Sequence, residues 1–160
     1  MTQEIKTLIE ITWRAQQQNV KSVLATVVAL NGSSYRRPGV RMLIQENGQT
    51  FGAVSGGCVE REVQKQANSV LETDIPKMIT YDGRFRLGCE GVIYILIEPI
   101  KITVDLKAKF DDVINGRKFF ECETFYSKIE GENKAYGSQF IFSERRFLLR
   151  ENFNISKTKD

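Results

Sequence analysis

The sequence contains no histidine. That absence removes the commonest general base and the commonest metal ligand, so neither a Ser-His-Asp nor a Cys-His hydrolase can be assembled within this chain. Cysteine is scarce: Cys58, Cys89 and Cys122 are odd in number, widely spaced and without a CxxC pair. This argues against a disulfide framework and against a thiolate zinc site, and it fits a reducing compartment. No apolar run approaches the roughly 20 residues that span a bilayer, and the polar N-terminus has no secretory pattern, so the expected location is cytoplasmic, with no membrane partner. A dominant charge is missing too. Against 20 acidic side chains stand 23 basic ones, a net +3, and apart from Arg36-Arg37 no basic run stands out, so nucleic acid is not an expected partner. There are no internal repeats and no low-complexity segments.

What is present is a chain of 160 residues, 41% of them hydrophobic, enough for one cored domain or a domain with an appended piece. Apolar positions at helical spacing predict a helix over residues 3–18, with Ile5, Leu8, Ile9 and Trp13 on one face, and a second over 58–73, with Val59, Val63, Ala67, Val70 and Leu71. The continuous apolar run 23–30 predicts a central strand. Strands are expected over 40–45 and 50–54, joined at Asn47-Gly48, then over 77–81 and 92–97, the last closed by Glu98-Pro99. Beyond residue 100 the texture changes. A short helix over 106–114 precedes strands near 119–126, 139–142 and 146–150, with a turn at Gly131. The fold class expected is α/β (α+β): a mixed β-sheet flanked by two long helices, with residues 1–100 as the main domain and residues 101–160 as a helix plus an antiparallel β-meander. The apolar strand faces of that meander need cover, which a homodimer or the first domain would supply.

Three loops stand out as chemistry-bearing. Residues 31–41 hold Ser33, Ser34, Arg36, Arg37 and Arg41; the planar guanidinium fork suits phosphate or another oxyanion, although a lone basic pair is more often a solvated surface turn. Residues 55–60 read as the end of a strand, a tight Ser55-Gly56-Gly57 turn and the first turn of a helix, where Cys58 meets free backbone N–H groups and the positive end of the dipole. That position favours an anion and a thiolate; a strand-to-helix turn with a small buried cysteine is the plainer alternative. Residues 87–91 hold Gly88, Cys89 and Gly91, either a second thiol site or a tight turn feeding a buried strand. Cys122 reads as packing. Neither a Walker loop nor a GxGxxG fingerprint is present. Each loop sits at a strand end, so a sheet can bring them to one edge. They then describe an anion-binding cleft with one or two thiols, for a phosphorylated or oxyanionic ligand with sulfur or metal chemistry.

At these residues the sequence resembles the XdhC/CoxI family, maturation factors of molybdenum hydroxylases such as xanthine dehydrogenase and carbon monoxide dehydrogenase. The resemblance is carried by Leu24-Ala25-Thr26-Val27-Val28, Gly32-Ser33-Ser34-Tyr35-Arg36-Arg37-Pro38-Gly39 with Arg41-Met42, Ser55-Gly56-Gly57-Cys58-Val59-Glu60, Tyr81-Asp82, Gly88-Cys89 and Leu96-Ile97-Glu98-Pro99. It is collinear over about residues 20–99. It implies a chaperone that binds the molybdenum cofactor, a phosphate-bearing pterin dithiolene (molybdopterin), holds it during sulfuration and delivers it to an apo hydroxylase, with a cysteine desulfurase as a further partner. The cofactor is then cargo and not a requirement for folding. The family's paired cysteines fall on Cys58 and Cys89, which the resemblance places near the molybdenum, with Cys58 as the key thiol. Two departures stand out. The usual Gly-Cys-Gly-Gly is Gly88-Cys89-Glu90-Gly91 here, which sets a carboxylate beside the thiol and disfavours thiolate. Many family members also continue into a Rossmann domain, absent from this sequence, so a separate Rossmann-domain protein is a candidate partner. The competing expectations are a thiol-dependent sulfurtransferase or reductase with Cys58 as nucleophile, and a non-catalytic interaction domain for a hydroxylase subunit.

Overall fold

The computed structural model describes residues 2–32, 39–54, 58–82, 91–116, 119–143 and 145–150. In chain order these form α1 (Thr2–Gln17), β1 (Ser22–Gly32), β2 (Arg41–Gln45), β3 (Thr50–Gly52), α2 (Cys58–Thr73), β4 (Lys77–Asp82), β5 (Gly91–Ile100), α3 (Val104–Asn115), β6 (Glu121–Phe125), β7 (Gly131–Glu132), β8 (Gly137–Phe142) and β9 (Arg145–Leu148). Six strands make one sheet in the order β3-β2-β1-β5-β4-β7, and three make a second, β6-β8-β9. The α+β class holds. Every pairing is antiparallel, so the main sheet is not mixed in strand direction. The β2–β3 link is a hairpin whose turn places Gly48 at φ +90°, as Asn-Gly turns require.

Alternation along the central strands sorts the apolar side chains onto two faces. One face presents Val23, Ala25, Val27, Met42, Ile44, Ile79, Ile93, Ile95 and Ile97 to the stripe Val59, Val63, Ala67 and Val70 of α2. The opposite face presents Leu24 and Leu43 to Ile5, Leu8 and Ile9 of α1, to Leu106, Phe110 and Val113 of α3, and to Phe140, Phe142 and Phe147 of the small sheet. The two long helices therefore flank the main sheet, one on each side. The run from residue 23 onward is a central strand covered on both faces, as its unbroken apolarity predicts.

Four expectations are corrected. β5 does not close at Glu98-Pro99 but runs on to Ile100, paired to β1 through Val23↔Pro99 and Ser22↔Ile100. Proline is tolerated there because β4 has already ended, at Lys77↔Ile97, leaving β5 a neighbour on one side only. Gly131 is not merely a turn: with Glu132 it forms β7 and pairs with Met78 and Lys77 on the edge of the main sheet. The three strands expected of the meander do form one antiparallel sheet, β6-β8-β9, while β7 joins the main sheet. The expected strand 50–54 is shortened to β3, because Gly52 takes φ +81° and turns the chain out of the sheet. α3 begins two residues earlier than the apolar pattern alone suggests, at Val104, with Thr103 as its N-cap accepting from the Leu106 amide.

Candidate functional site

The topology brings the borders of all three predicted loops to one end of the main sheet. β1, β3 and β4 run toward that end; β2 and β5 start from it. At the top of the central pair, Gly32 faces Gly91, and Asp82 faces Val92 beside them. Arg41 opens β2 opposite Thr26, while Gly39 N–H donates to the Val27 carbonyl at 2.7 Å and Val27 N–H to the Val40 carbonyl at 2.9 Å. Gly52 closes β3 opposite Met42. α2 follows from β3, so its first residue, Cys58, also lies at this end, with the amino-terminal dipole directed there. Glu60 in that first turn reaches back, its Oε1 accepting from the Val54 N–H at 3.1 Å. One turn acid is thereby spent on tying the incoming chain to the helix, between Val54 and Val59, both buried.

Of the predicted residues, Arg41 and Gly91 are described in full, and Cys58 by its place at the head of α2. Ser33, Ser34, Arg36, Arg37, Ser55, Gly56, Gly57, Gly88 and Cys89 lie outside the described residues. Gly91 stands where β5 leaves the loop end, adjacent to β1. Arg41 is half-buried, and its Nη1 donates to the Gly39 carbonyl at 2.9 Å. Its charge also reaches inward, acting on Cys122 of β6 and on Glu98 of β5. Burial pushes the Cys122 thiol up; Arg41 opposes this and Glu98 adds to it. At neutral pH Cys122 is a protonated thiol and no ready nucleophile.

Glu98 is the functional candidate that sequence reasoning missed. It is fully buried between the two sheets, and burial pushes its carboxyl up to about 7; hydrogen bonds from Ser138, then the charges of Arg150 and Arg41, pull the other way. Ser138 Oγ donates to Oε2 at 2.8 Å and also shares a hydrogen bond with Thr124 Oγ1 at 2.9 Å. The signal was in the sequence: an acidic side chain inside an unbroken apolar strand is either an end or a buried exception.

An open cleft of about 920 Å³ lies at the opposite end of the sheet, between Trp13, Ser22, Ile75, Pro99, Lys101 and Val104. Its polar groups are occupied in holding elements together. Gln16 clamps Ile102 through Nε2 to the carbonyl at 2.8 Å and Oε1 from the amide at 2.7 Å. Lys21 caps α2 at the Leu71 carbonyl and pairs with Asp74 at 3.0 Å. Volume alone therefore favours the wrong end, and the loop end remains the candidate. Among the described residues no group of three or more His, Cys, Asp or Glu side chains could hold a metal ion, and no helix is long and apolar enough to cross a membrane.

Comparison with known proteins adds an independent line. Residues 15–82 match the model of the XdhC and CoxI family. The chain is 31% identical over 124 residues to a probable xanthine dehydrogenase subunit from Bacillus subtilis, covering 72% of this chain and 37% of that protein. It is 30% identical over 113 residues to the molybdenum cofactor insertion chaperone PaoD of Escherichia coli, covering 68% of this chain and 36% of the relative. The chain thus spans little more than a third of the length of these curated relatives. A crystal structure of a xanthine dehydrogenase from Bacillus halodurans is similar over 93% of this chain and 46% of its own, with a TM-score of 0.67 and 28% identity.

Proposed function

The chain belongs to the XdhC and CoxI family through residues 15–82, and from that premise we propose that it serves the maturation of a molybdenum hydroxylase by binding the molybdenum cofactor at the loop end of its main sheet. One observation carries the reading: the strand borders of the three loops, Gly32, Arg41, Gly52, Asp82 and Gly91, with Cys58 at the head of α2, all point toward the same end of one sheet, the Gly32–Gly91 pair reaching six residues beyond Arg41's partner Thr26 along β1. A phosphate-bearing ligand suits that end, because the α2 N-terminus and Arg41 both contribute positive potential there. In this reading Ser33, Ser34, Arg36, Arg37 and Arg41 hold the pterin phosphate. The Ser55-Gly56-Gly57 turn and Gly88 and Gly91 let backbone approach, and Cys58, with Cys89, stands near the molybdenum, a metal that accepts thiolate. The cofactor is cargo: the chain binds it, shields it during sulfuration and releases it to an apo hydroxylase. A cysteine desulfurase and a second copy of the chain complete the set of proposed partners.

The test is a retention experiment. Cofactor freshly released from a molybdoenzyme is mixed anaerobically with the protein and desalted, and retained pterin and molybdenum are quantified. Wild type should retain both. Cys58→Ala should lose molybdenum retention, and Arg36→Gln with Arg37→Gln should lose pterin. Equal retention in wild type and Cys58→Ala removes the thiol from the site; no retention by wild type overturns the proposal for this chain.

A further inference from the structure

The segment Leu96-Ile97-Glu98-Pro99 belongs to the stretch that carries the family resemblance, yet it lies outside the three loops and the proposed function does not use it. Strand register places Glu98 on the same face as Arg41. Arg41 and Leu96 flank Thr26, and Leu43 and Glu98 flank Leu24 two residues away. This is the face covered by the small sheet. Four segments around it bring polar groups toward the carboxyl. β8 contributes Ser138, bonded to Oε2. β6 contributes Thr124, bonded to Ser138, and the Cys122 thiol, which feels the charge of Glu98. β2 contributes Arg41, and the chain after β9 contributes Arg150. The second oxygen, Oε1, is buried and has no hydrogen-bond partner. A buried carboxylate oxygen without a donor is costly, and the cost is relieved either by protonation or by a cation that turns toward it.

The two cations differ in how firmly they are held. Arg150 is nine-tenths buried, and its Nη2 is anchored on the Tyr136 carbonyl at 2.8 Å and on the Lys134 carbonyl. Arg41 is half-exposed. It bonds the carbonyl of Gly39, just ahead of β2, its charge acts on the Cys122 thiol, and it opens β2 at the loop end. Arg41 is therefore the cation that can respond. We propose that Glu98 is a positioning residue for Arg41: ionised, it draws the guanidinium inward over the sheet toward its open oxygen; protonated, it leaves the guanidinium to an anion at the loop end. The proposal deepens the reading of Arg41 as an anion contact and rests on it. Burial pushes the Glu98 carboxyl up to about 7, so a change of pH across neutrality is the lever that separates the two arrangements.

The test uses protein with 15N-labelled arginine, the Arg41 Nε–H resonance being assigned with Arg41→Lys, and sulfate as the anion, whose charge is the same at pH 6 and pH 8. In wild type the Arg41 resonance should move through one transition near neutral pH. Sulfate should bind at the loop end roughly tenfold more tightly at pH 6 than at pH 8, the size of one partly screened charge contact. In Glu98→Gln the transition should vanish and sulfate should bind equally at both pH values. Ser138→Ala removes a hydrogen bond that favours ionised Glu98, so the transition should move to higher pH, which keeps the test alive if Glu98→Gln folds poorly. An Arg41 resonance that does not titrate, or titrates unchanged in Glu98→Gln, overturns the proposal even if sulfate binds through Arg41. A transition that depends on Glu98 without sulfate binding at either pH supports the positioning and overturns the anion reading of Arg41.

Discussion

Replacing Glu98 by Gln should change how stability depends on pH, and the size of the change follows from the structure. The carboxyl is fully buried and held at about 7, against an ordinary value of 4.5. Below the ordinary value the group is protonated in both folded and unfolded chains and contributes no pH dependence. Between the two values the folded chain keeps a proton that the unfolded chain has released, so stability falls as pH rises. Above about 7 both forms are ionised and the loss is complete. The interval corresponds to about 3 kcal/mol, a substantial share of the roughly 5–15 kcal/mol that holds a domain folded. Urea unfolding of wild type and Glu98→Gln from pH 4 to pH 8 measures it, and the difference between the curves cancels every other titrating group. Wild type should lose about 3 kcal/mol relative to the variant across that range. Parallel curves, or a wild type that gains on the variant as pH rises, would refute the argument that burial dominates over Ser138, Arg150 and Arg41.

Phe110→Ala should cost about 3–5 kcal/mol in chemical denaturation, because the ring is fully buried at the centre of an aromatic cluster and cannot be replaced by collapse of its neighbours; its centroid lies 5.3 Å from Phe120, 6.0 Å from Phe140 and 6.1 Å from Phe142. Gly52→Ala should cost about 1–2 kcal/mol or more in thermal unfolding. The position has φ +81°, and a Cβ would sit 2.7 Å from the Arg41 carbonyl oxygen, a backbone atom that cannot swing away. Gln16→Ala strands the amide and carbonyl of buried Ile102 together and should cost about 2 kcal/mol, with amide exchange at Ile102 rising more than at the α2 face.

The sequence alone was enough for every element whose residues repeat with a clear period. The stripes beginning at Ile5 and Val59 define α1 and α2, the unbroken run from Val23 defines the central strand, and Asn47-Gly48 defines a hairpin, because these signals are local and each is set by a few neighbouring side chains. The site was legible as residue types at three strand ends, together with a family resemblance that the match over residues 15–82 bears out. What only the tertiary structure decided were the relations between distant segments. That the chain at Gly32, Arg41, Gly52, Cys58, Asp82 and Gly91 points toward one end depends on strand order, which no local pattern encodes. β7 has two residues and no periodicity, so its place on the main sheet comes from the partner edge. Glu98 looked like the polar close of a strand, since nothing near it in the chain announces Ser138, Arg150 or Cys122. Its burial and its altered carboxyl exist only once β6, β8 and β9 lie over it, because desolvation is a property of what surrounds a group and not of the group itself.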